Sequence, residues 1–373
     1  MIKATTLFYL WQGRKKVTIA IFLMLLVLSL YTWRFLASQD TTNPWVHFPI
    51  YQNTLIADSV VIDWPLVAWE NWSTLPNPGT ILLKNLESNE LWDLGDDFPC
   101  PPIGTNRGDL ALHGEWLVGV FSCNYPHSYE IYALNLSSRE VISILPPPGL
   151  PPDQLFAAEP TIYGEIIVWQ QETWNISHSN LFLFNLQTRT TTTVTEPDSP
   201  FVDVHPELYQ DWLAWYRRHP GTGERFIRLY NLSSSEPITI PITAGSQTWV
   251  SLDDQYVVWD DWRNGDADIY GFDLNSRQEI PIITGPGHQS RAVIRGGVII
   301  YQQSGSTASL WVYHLHTQQD FHLFSPTTGG IKRPLALDNG VAVWINSDTG
   351  SNTTVYGARQ LPERFYLPLL GRP

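Results

Sequence analysis

The stretch Gln255-Tyr256-Val257-Val258-Trp259 is a short apolar run that ends in tryptophan, and copies of it recur along the whole chain. Five copies end in tryptophan and two weaker copies end in glycine or tyrosine. In chain order, the closing positions are Trp69, Gly119, Trp169, Trp215, Trp259, Tyr301 and Trp344. They are separated by 50, 50, 46, 44, 42 and 43 residues. A unit of this length that recurs with alternating apolar residues predicts a repeat architecture.

The copy at residues 247–284 indicates how one unit is built. It contains four short runs with strand character, at 249–252, 256–259, 268–273 and 279–284, separated by polar turns. The loop between the second and third runs contains Asn264-Gly265, a pair that tolerates positive φ in a hairpin. Four short strands in about 40 residues are typical of one propeller blade.

A second repeated feature follows the third strand of each unit, where a polar residue precedes leucine. The pairs are Asn85-Leu86, Asn135-Leu136, Asn185-Leu186, Asn231-Leu232, Asp273-Leu274 and His314-Leu315. Asn and Asp side chains suit this position because they cap the backbone of the following turn. The leucine spacing follows the tryptophan spacing, and no helical period of useful length follows residue 40. The body is therefore predicted to be all-β.

The fifth unit, from Tyr256 to Leu274 (YVVWDDWRNGDADIYGFDL), resembles the repeat of TolB-like β-propeller proteins. The resemblance covers roughly residues 54–357 as an array. It implies a propeller in the bacterial envelope or outside the cell, of a group that usually binds proteins or glycans. Seven units predict seven blades of four antiparallel strands, with six blades as the alternative if the first or last copy is incomplete.

Closing such a ring requires a strand from one terminus to complete the blade at the other. The candidates are residues 45–51 and the tail at 365–368. The predicted organisation is a linker with the candidate closing strand at 37–52, a propeller at 53–360 and a C-terminal tail at 361–373.

The first forty residues contain a targeting signal. Residues 1–16 are basic, and residues 17–33 that follow are apolar and uncharged. This run predicts one transmembrane helix or signal anchor, placed at 17–36. Because the positive charges precede the segment, the N-terminus is predicted in the cytoplasm and the body outside it. The alternative is a cleaved signal peptide with a weak site at Ala37-Ser38, which would release a secreted body.

The charge of the chain argues against nucleic acid as a partner. Residues 1–40 carry a net charge of +4. Since the whole chain has a formal net charge of −14, the remainder carries −18. An acidic body repels a phosphate backbone.

The two cysteines, Cys100 and Cys123, lie in the part predicted to be exported, where they can form a disulfide. The alternative is two buried thiols.

Two groups of residues are candidates for binding. Asp261, Asn264, Asp266 and Asp268 offer oxygen ligands at alternating spacing, which suits calcium. The alternative is that they satisfy the loop backbone while Arg263 pairs with a neighbouring carboxylate. Trp72, Trp174 and Trp262 each lie in a predicted loop after the second strand. They are candidates for a rim that stacks on sugars or anchors a protein partner, with packing as the alternative.

No local motif of nucleophilic, zinc-dependent or phosphate-binding catalysis occurs in the sequence. No catalytic residue is therefore assigned, and no cofactor is expected apart from the calcium candidate. The primary hypothesis is an envelope-anchored, non-catalytic module that binds a protein or a glycan. The alternative is a propeller enzyme, a lyase or a hydrolase, that acts on extracellular polysaccharide with residues scattered over several blades.

Overall fold

The computed structural model describes residues 43–53, 56–72, 79–100, 110–121, 129–146, 156–173, 178–196, 199–238, 240, 246–305, 308–327, 329–347 and 352–361. Contacts divide the chain into two compact units. One is Trp45–Gln360 and includes every strand named below. The other consists of Met1–Pro44 and Leu361–Pro373, of which only residues 43, 44 and 361 are described.

A membrane-spanning helix is predicted at 17–36, a segment outside the described residues. Where the chain is described, no helix has the length and apolar character that crossing a bilayer requires. The tail candidate at 365–368 also lies outside the described residues.

The larger unit is built almost entirely from β-strands. Strand β1 (Trp45–Asn53) comes first. It is followed by β2 (Ile56–Asp63), β3 (Leu66–Trp72), β4 (Thr80–Asn85) and β5 (Leu91–Asp93), which form one sheet, and by β6 (Leu110–His113), β7 (Trp116–Phe121), β8 (Glu130–Asn135) and β9 (Val141–Ile144), which form the next. A single turn of 3-10 helix, Gly95–Asp97, lies between these two sheets.

The middle of the unit forms a larger sheet. Its first antiparallel group is β10 (Phe156–Tyr163), β11 (Ile166–Glu172), β12 (Ser179–Asn185) and β13 (Thr190–Thr193). Its second is β14 (Val202–Tyr209), β15 (Trp212–Arg218), β16 (Arg225–Asn231) and β17 (Glu236–Ile238). Among the described residues, strand pairing between the two groups is limited to one parallel residue pair, Ser179 with Val202. Each therefore has the four-stranded pattern of the other sheets.

Three further sheets complete the described part of the unit. The first consists of β18 (Gln247–Leu252), β19 (Tyr256–Asp261), β20 (Asp268–Asp273) and β21 (Gln278–Ile283). The second consists of β22 (Gln289–Arg295), β23 (Val298–Gln303), β24 (Ser309–His314) and β25 (Gln319–Phe324). The third consists of β26 (Gly330–Asp338), β27 (Val341–Ser347), β28 (Thr353–Gln360) and β1.

Strand β1 pairs antiparallel with β28, with Trp45 opposite Gln360 at one end and Asn53 opposite Thr353 at the other. The segment expected to supply a closing strand therefore joins the last sheet. The all-β prediction is confirmed. Within the described ranges, the strands form six hydrogen-bonded sheets, of which the large one contains two antiparallel groups.

The repeated tryptophans pack between neighbouring sheets. Trp69, Trp169, Trp259 and Trp344 are all fully buried. Trp169 belongs to one buried cluster with Val118 and Ala133 of the preceding sheet, and each of the other three lies in a cluster that includes residues of a neighbouring sheet. Burial of side chains this large is a major apolar contribution to stability. The closing tryptophans therefore hold adjacent sheets together.

The turn after the third strand has the predicted chemistry. Asn135 Oδ1 accepts hydrogen bonds from the backbone amides of Ser137 at 3.0 Å and Ser138 at 2.8 Å. The equivalent polar residues in three other sheets bind the amides two and three positions ahead in the same way. Asn and Asp thus set this corner, as expected from the sequence.

Candidate functional site

One cavity of about 630 Å³ is lined by the first strand of every four-stranded group. These strands are β2, β6, β10, β14, β18, β22 and β26. Because all of the sheets contribute to one cavity, their first strands are the innermost ones. The volume lies in the range of small-molecule sites. The cavity wall from β2, β6 and β26 is apolar, whereas the wall from β10, β14, β18 and β22 includes charged and aromatic side chains.

Most of the inner strands contain a β-bulge at a similar place. Register shifts occur in β2, β10, β14, β18, β22 and β26. Five of these bulges contain a residue with positive φ, between 43° and 59°: Ser59, Glu159, His205, Trp249 and Arg291. None is glycine, and each such backbone costs on the order of 1–3 kcal/mol.

Four of these five residues line the cavity, and we name Glu159, His205, Trp249 and Arg291 the lumen arc. They come from β10, β14, β18 and β22, four inner strands that succeed one another along the chain. Bulges re-aim side chains at functional sites, and strain of this kind is stored where the fold over-determines it. The lumen arc is therefore the candidate site.

Side chains of the second strands support two of these strained backbones. Gln170 Oε1 accepts a hydrogen bond from the His205 amide at 2.9 Å. Asp260 accepts one from the Arg291 amide with both carboxylate oxygens, at 2.8 and 3.0 Å. Both supporting side chains are buried, and each directly follows a closing tryptophan in the sequence. The second strand of one group thus fixes the inner strand of the next.

The lumen arc has internal contacts that orient its members. His205 Nδ1 lies 2.5 Å from Glu159 Oε2, close enough for an ion pair when the imidazole is protonated. This Glu159 oxygen is itself buried, so its contact with His205 is shielded from solvent. The His205 ring lies 4.5 Å from the Trp249 ring and 5.1 Å from the Tyr216 ring, measured between centroids.

Glu207 adds an acid to the same cavity. Burial raises its pKa to about 7, the charge of Glu159 contributes in the same direction, and Arg295 and His205 oppose the shift. A carboxyl group with this pKa holds its proton for part of the time at neutral pH. It can therefore donate a hydrogen bond or a proton to a molecule in the cavity.

The sequence analysis did not identify the lumen arc, although the position of its residues within the repeat is constant. Each of the five residues with positive φ lies ten positions before the closing aromatic residue of its own unit. The offset is constant but the residue type is not, since the five positions hold Ser, Glu, His, Trp and Arg. A search for recurring residue types therefore does not detect these five positions.

The predicted rim aromatics are only partly described. Trp262 follows β19 and is 42% exposed, with its ring 5.4 Å from that of His288. Strand β3 ends at Trp72, whose side chain lies outside the described part, as does all of Trp174. Trp262 is not among the residues that line the cavity. The rim aromatics stay a prediction.

Three of the four calcium candidates, Asp261, Asn264 and Asp268, make side-chain contacts within the protein. The buried Asp261 carboxylate accepts hydrogen bonds from Trp259 Nε1 at 2.9 Å and from Arg263, whose Nη2 lies at 2.6 Å. Asn264 Nδ2 donates to Asp268 Oδ2 at 2.7 Å. Asp266 lies between them in the loop, where Gly265 has the expected positive φ, 104°.

The pairing of Arg263 with a neighbouring carboxylate is thus present. Across the described residues, no group of three or more His, Cys, Asp or Glu side chains has the arrangement of a metal site. Calcium binding stays a prediction.

The disulfide also stays a prediction. Cys100 is partly buried and packs against the apolar cluster that contains Leu94 and Phe98. Its expected partner, Cys123, lies outside the described residues.

Comparison with known proteins supports the fold alone. No family model matches the chain. No curated protein matches it either. The β-propeller domain of the Trilobed protease from Pyrococcus furiosus aligns with a TM-score of 0.62 at 11% identity, over 87% of this chain and 100% of the other. This likeness, together with the pairing described above, identifies the fold as a β-propeller.

Two other solved structures align over most of this chain. A puromycin-hydrolyzing peptidase of Mycobacterium tuberculosis has a TM-score of 0.63 at 14% identity, over 86% of this chain and 54% of the peptidase. This chain thus spans about half the length of that enzyme. Oligogalacturonate lyase, solved in complex with manganese, has a TM-score of 0.58 at 16% identity, over 88% of this chain and 93% of the lyase.

The resemblance to TolB has weaker structural support. TolB from Acinetobacter baumannii aligns with a TM-score of 0.44 at 13% identity, over 79% of this chain and 82% of TolB. This score is too low for an argument. The TolB-like character of the repeat therefore depends on the sequence of the fifth unit.

Proposed function

We propose that this protein is a seven-bladed propeller that binds a glycan, without catalysis, in its central cavity. The observation that carries the proposal is the lumen arc, in which Trp249 faces one cavity together with Glu159, His205 and Arg291. An aromatic ring beside charged hydrogen-bonding groups is the combination that sugars require, because their rings have apolar faces and hydroxyl edges.

The size of this cavity suits a glycan ligand better than it suits a protein partner. A cavity of about 630 Å³ accommodates a small ligand, whereas a stable protein interface buries about 800 Å² on each partner. The strained backbones support binding as well, because the fold maintains four costly conformations that all aim side chains into the same space.

The location is part of the proposal. The predicted anchor at 17–36 would hold the propeller on the outer side of the membrane, with residues 1–16 in the cytoplasm. Membrane fractionation of cells that produce the protein tests this, together with the mass of the mature chain. Loss of roughly the first 37 residues would indicate cleavage and a secreted propeller.

The binding test uses the full chain, purified in mild detergent, on a glycan array, followed by calorimetry with the best ligand. We expect Trp249→Ala to weaken binding about thirtyfold, which corresponds to the loss of one aromatic anchor. Trp249→Phe should retain part of the affinity because it keeps a ring. Trp262→Ala, at the predicted rim, is the matched control and should change affinity less than twofold.

The opposite pattern would reject the cavity as the site. If Trp262→Ala abolishes binding and Trp249→Ala leaves it intact, the rim is the recognition surface. A pull-down that captures a protein partner dependent on Trp262 would then favour the protein-binding form of the original hypothesis.

A second candidate is a propeller enzyme that acts on extracellular polysaccharide as a lyase or a hydrolase. One observation favours it, namely the pKa of about 7 of Glu207, which suits a general acid or base near neutral pH. The test incubates the array ligands with the protein and measures new reducing ends and the ultraviolet absorbance of unsaturated products. Product formation that Glu207→Gln abolishes, at unchanged ligand affinity, would establish the enzyme.

A further inference from the structure

One position near the end of the inner strands holds leucine or isoleucine in all seven units. It lies seven residues before the closing position of each unit, and we name the set the apolar belt. Five of its side chains line the cavity: Ile62, Leu112, Ile162, Leu208 and Leu337. Leu252 and Ile294 are fully buried, and no member of the belt is more than 9% exposed. A channel open to water at this level would expose these side chains, so the belt narrows the cavity here.

The residues that follow the belt contact one another from sheet to sheet. The Asp63 carboxylate lies 3.6 Å from His113 Nδ1. The His113 ring stacks on the Tyr163 ring at 4.3 Å between centroids, and the Tyr163 ring lies 4.9 Å from that of Tyr209. Each of these four is the last residue of its inner strand, and none is part of the cavity lining. They form a layer beyond the belt, which we name the floor.

Arg295 extends across the cavity at the level of the floor. It is the last residue of β22 and lines the cavity. Its guanidinium lies over the Tyr209 ring, 4.8 Å from the centroid, and its Nη1 donates to the Leu252 carbonyl. The sheets of β14 and β22 are not consecutive, since the sheet of β18 comes between them along the chain. Side chains of these two sheets meet by reaching across the space inside the inner strands. The floor, together with Arg295, therefore closes this end of the cavity.

The lumen arc lies well inside the opposite end of the cavity. Glu159 and His205 are each the fourth residue of their strands, and Trp249 and Arg291 are each the third. At about 3.3 Å per residue, these positions lie roughly 7–10 Å beyond the level at which the inner strands begin. A ligand that contacts Trp249 has to insert to this depth from the side opposite the floor.

We infer that the cavity is a blind pocket that takes the end of a glycan chain and not an internal stretch of it. The inference rests on the proposed function and deepens it, because it specifies which part of the glycan is bound.

The reason is geometric. An internal stretch continues in both directions, so one flank would have to leave through the belt and the floor, or bend back beside the other flank within about 630 Å³. Sugar hydroxyls buried against the belt would also lack hydrogen-bond partners, which costs free energy. A chain end has a single flank, which leaves by the opening through which the end entered.

The first experiment measures the shape of the cavity with polyethylene glycol and does not depend on any glycan. Val293 is half-buried and lines the cavity, so Val293→Cys places a thiol there. The full chain in mild detergent is treated with two polymers of equal mass, one with a maleimide at its end and one with a maleimide at its centre. We expect the terminal maleimide to react at least about tenfold faster, because only a chain end fits a pocket with one opening.

The controls separate the shape of the cavity from the reactivity of the thiol. Ser304→Cys, at an exposed position outside the cavity lining, should react with both polymers at the same rate. N-ethylmaleimide should modify Val293→Cys, and the wild type gives the background from Cys100 and Cys123. Equal rates for the two polymers at position 293 would overturn the inference. A thiol there that no maleimide modifies would also overturn it, because no chain end could then enter.

The second experiment uses the oligosaccharide selected on the glycan array and measures affinity by calorimetry. It compares the linear chain, the same chain capped with a bulky group at both ends, and a longer linear chain with the same ends. We expect capping to weaken binding at least about tenfold and added length to change the affinity less than about twofold. Equal affinity of the capped and uncapped chains would overturn the inference.

The two proposals fail in different ways. Glycan binding that depends on Trp249 but does not distinguish capped from uncapped chains rejects the blind pocket and leaves the proposed function intact. Preference for the terminal maleimide at position 293, with no glycan bound, supports the blind pocket and rejects the proposed function.

Discussion

The Asp260 carboxylate accepts the backbone amide of Arg291 with both oxygens, at 2.8 and 3.0 Å, although the two residues belong to different sheets. Arg291 has a φ of 59°, and Asp260 is only 1% exposed. A buried carboxylate in this position compensates for a backbone that the inner strand would otherwise avoid. The contact therefore links the second strand of one sheet to the cavity wall formed by the next.

Removal of this carboxylate should destabilise the fold. We expect Asp260→Ala to lower the free energy of unfolding by about 2–3 kcal/mol, because a buried amide loses a charged acceptor. Urea unfolding measures the effect. Asp254→Ala, at an exposed turn position of the same sheet, should stay within about 0.5 kcal/mol of the wild type. A loss at Asp260 no larger than this control would contradict the role given to the carboxylate.

The strain at Arg291 predicts an inverted preference between glycine and alanine. Glycine in a strand is normally less stable than alanine by about 0.5–1 kcal/mol. At position 291, where φ is 59°, Arg291→Gly should be more stable than Arg291→Ala by about 1 kcal/mol. Arg295, on the same strand without a positive φ, provides the control pair and should keep the normal order. Unfolding in urea gives all four values, and the normal order at position 291 would rule out strain there.

How much of this molecule can be read from the sequence depends on how far each contact reaches. The closing tryptophans and the Asn corners were predictable because each acts within its own unit, and the same residue type recurs at the same place. Trp169 and Asn185 are examples, since one packs the sheet and the other caps its turn wherever the unit occurs. The all-β class follows from that repetition.

The lumen arc could not be read in this way. Glu159 and His205 are 46 positions apart and meet only because their inner strands converge on one cavity. A bulge shifts the register at each site, so strict alternation does not predict which side chain points inward. The lumen arc lies where the repeats differ, and a method that depends on similarity between repeats does not detect such positions.

The acidic loop after β19 shows the opposite difficulty. Asp261 and Asp268 have the spacing of oxygen ligands, but Arg263 is two residues from Asp261 and donates to its carboxylate. Spacing alone does not indicate whether a carboxylate is bound by a cation from solution or by a guanidinium of the same loop. Spacing also does not predict that the buried Trp259 Nε1 donates a hydrogen bond to Asp261.

The pKa of Glu207 predicts a distinct dependence of stability on pH. Its value is about 7 in the folded protein and 4.5 for an unperturbed glutamate. Because the folded state binds the proton more tightly, the contribution of Glu207 is fully present below pH 4.5 and is lost as the pH rises through 7. Since the side chain retains some contact with cavity solvent, we expect a loss on the order of 2 kcal/mol.

The measurement compares urea unfolding of the wild type and Glu207→Gln between pH 4.5 and 8. The glutamine variant keeps a neutral group, so the difference between the two proteins should change across this range. Glu165→Gln, at an exposed turn, should follow the wild-type curve at every pH. A constant difference between wild type and Glu207→Gln would show that the carboxyl group titrates normally.

The last prediction concerns two tryptophans that are buried equally but bonded differently. Trp259 and Trp344 are both fully buried, and Trp259 Nε1 donates to Asp261 Oδ2 at 2.9 Å, whereas Trp344 Nε1 donates to no described residue. Replacement by phenylalanine removes a similar apolar volume at both sites, but only at position 259 does a buried carboxylate lose a donor. Trp259→Phe should therefore lower the free energy of unfolding by about 1–2 kcal/mol more than Trp344→Phe. Urea unfolding of the two variants measures the difference, and equal losses would mean that Arg263 and Gln247 satisfy Asp261 without the indole.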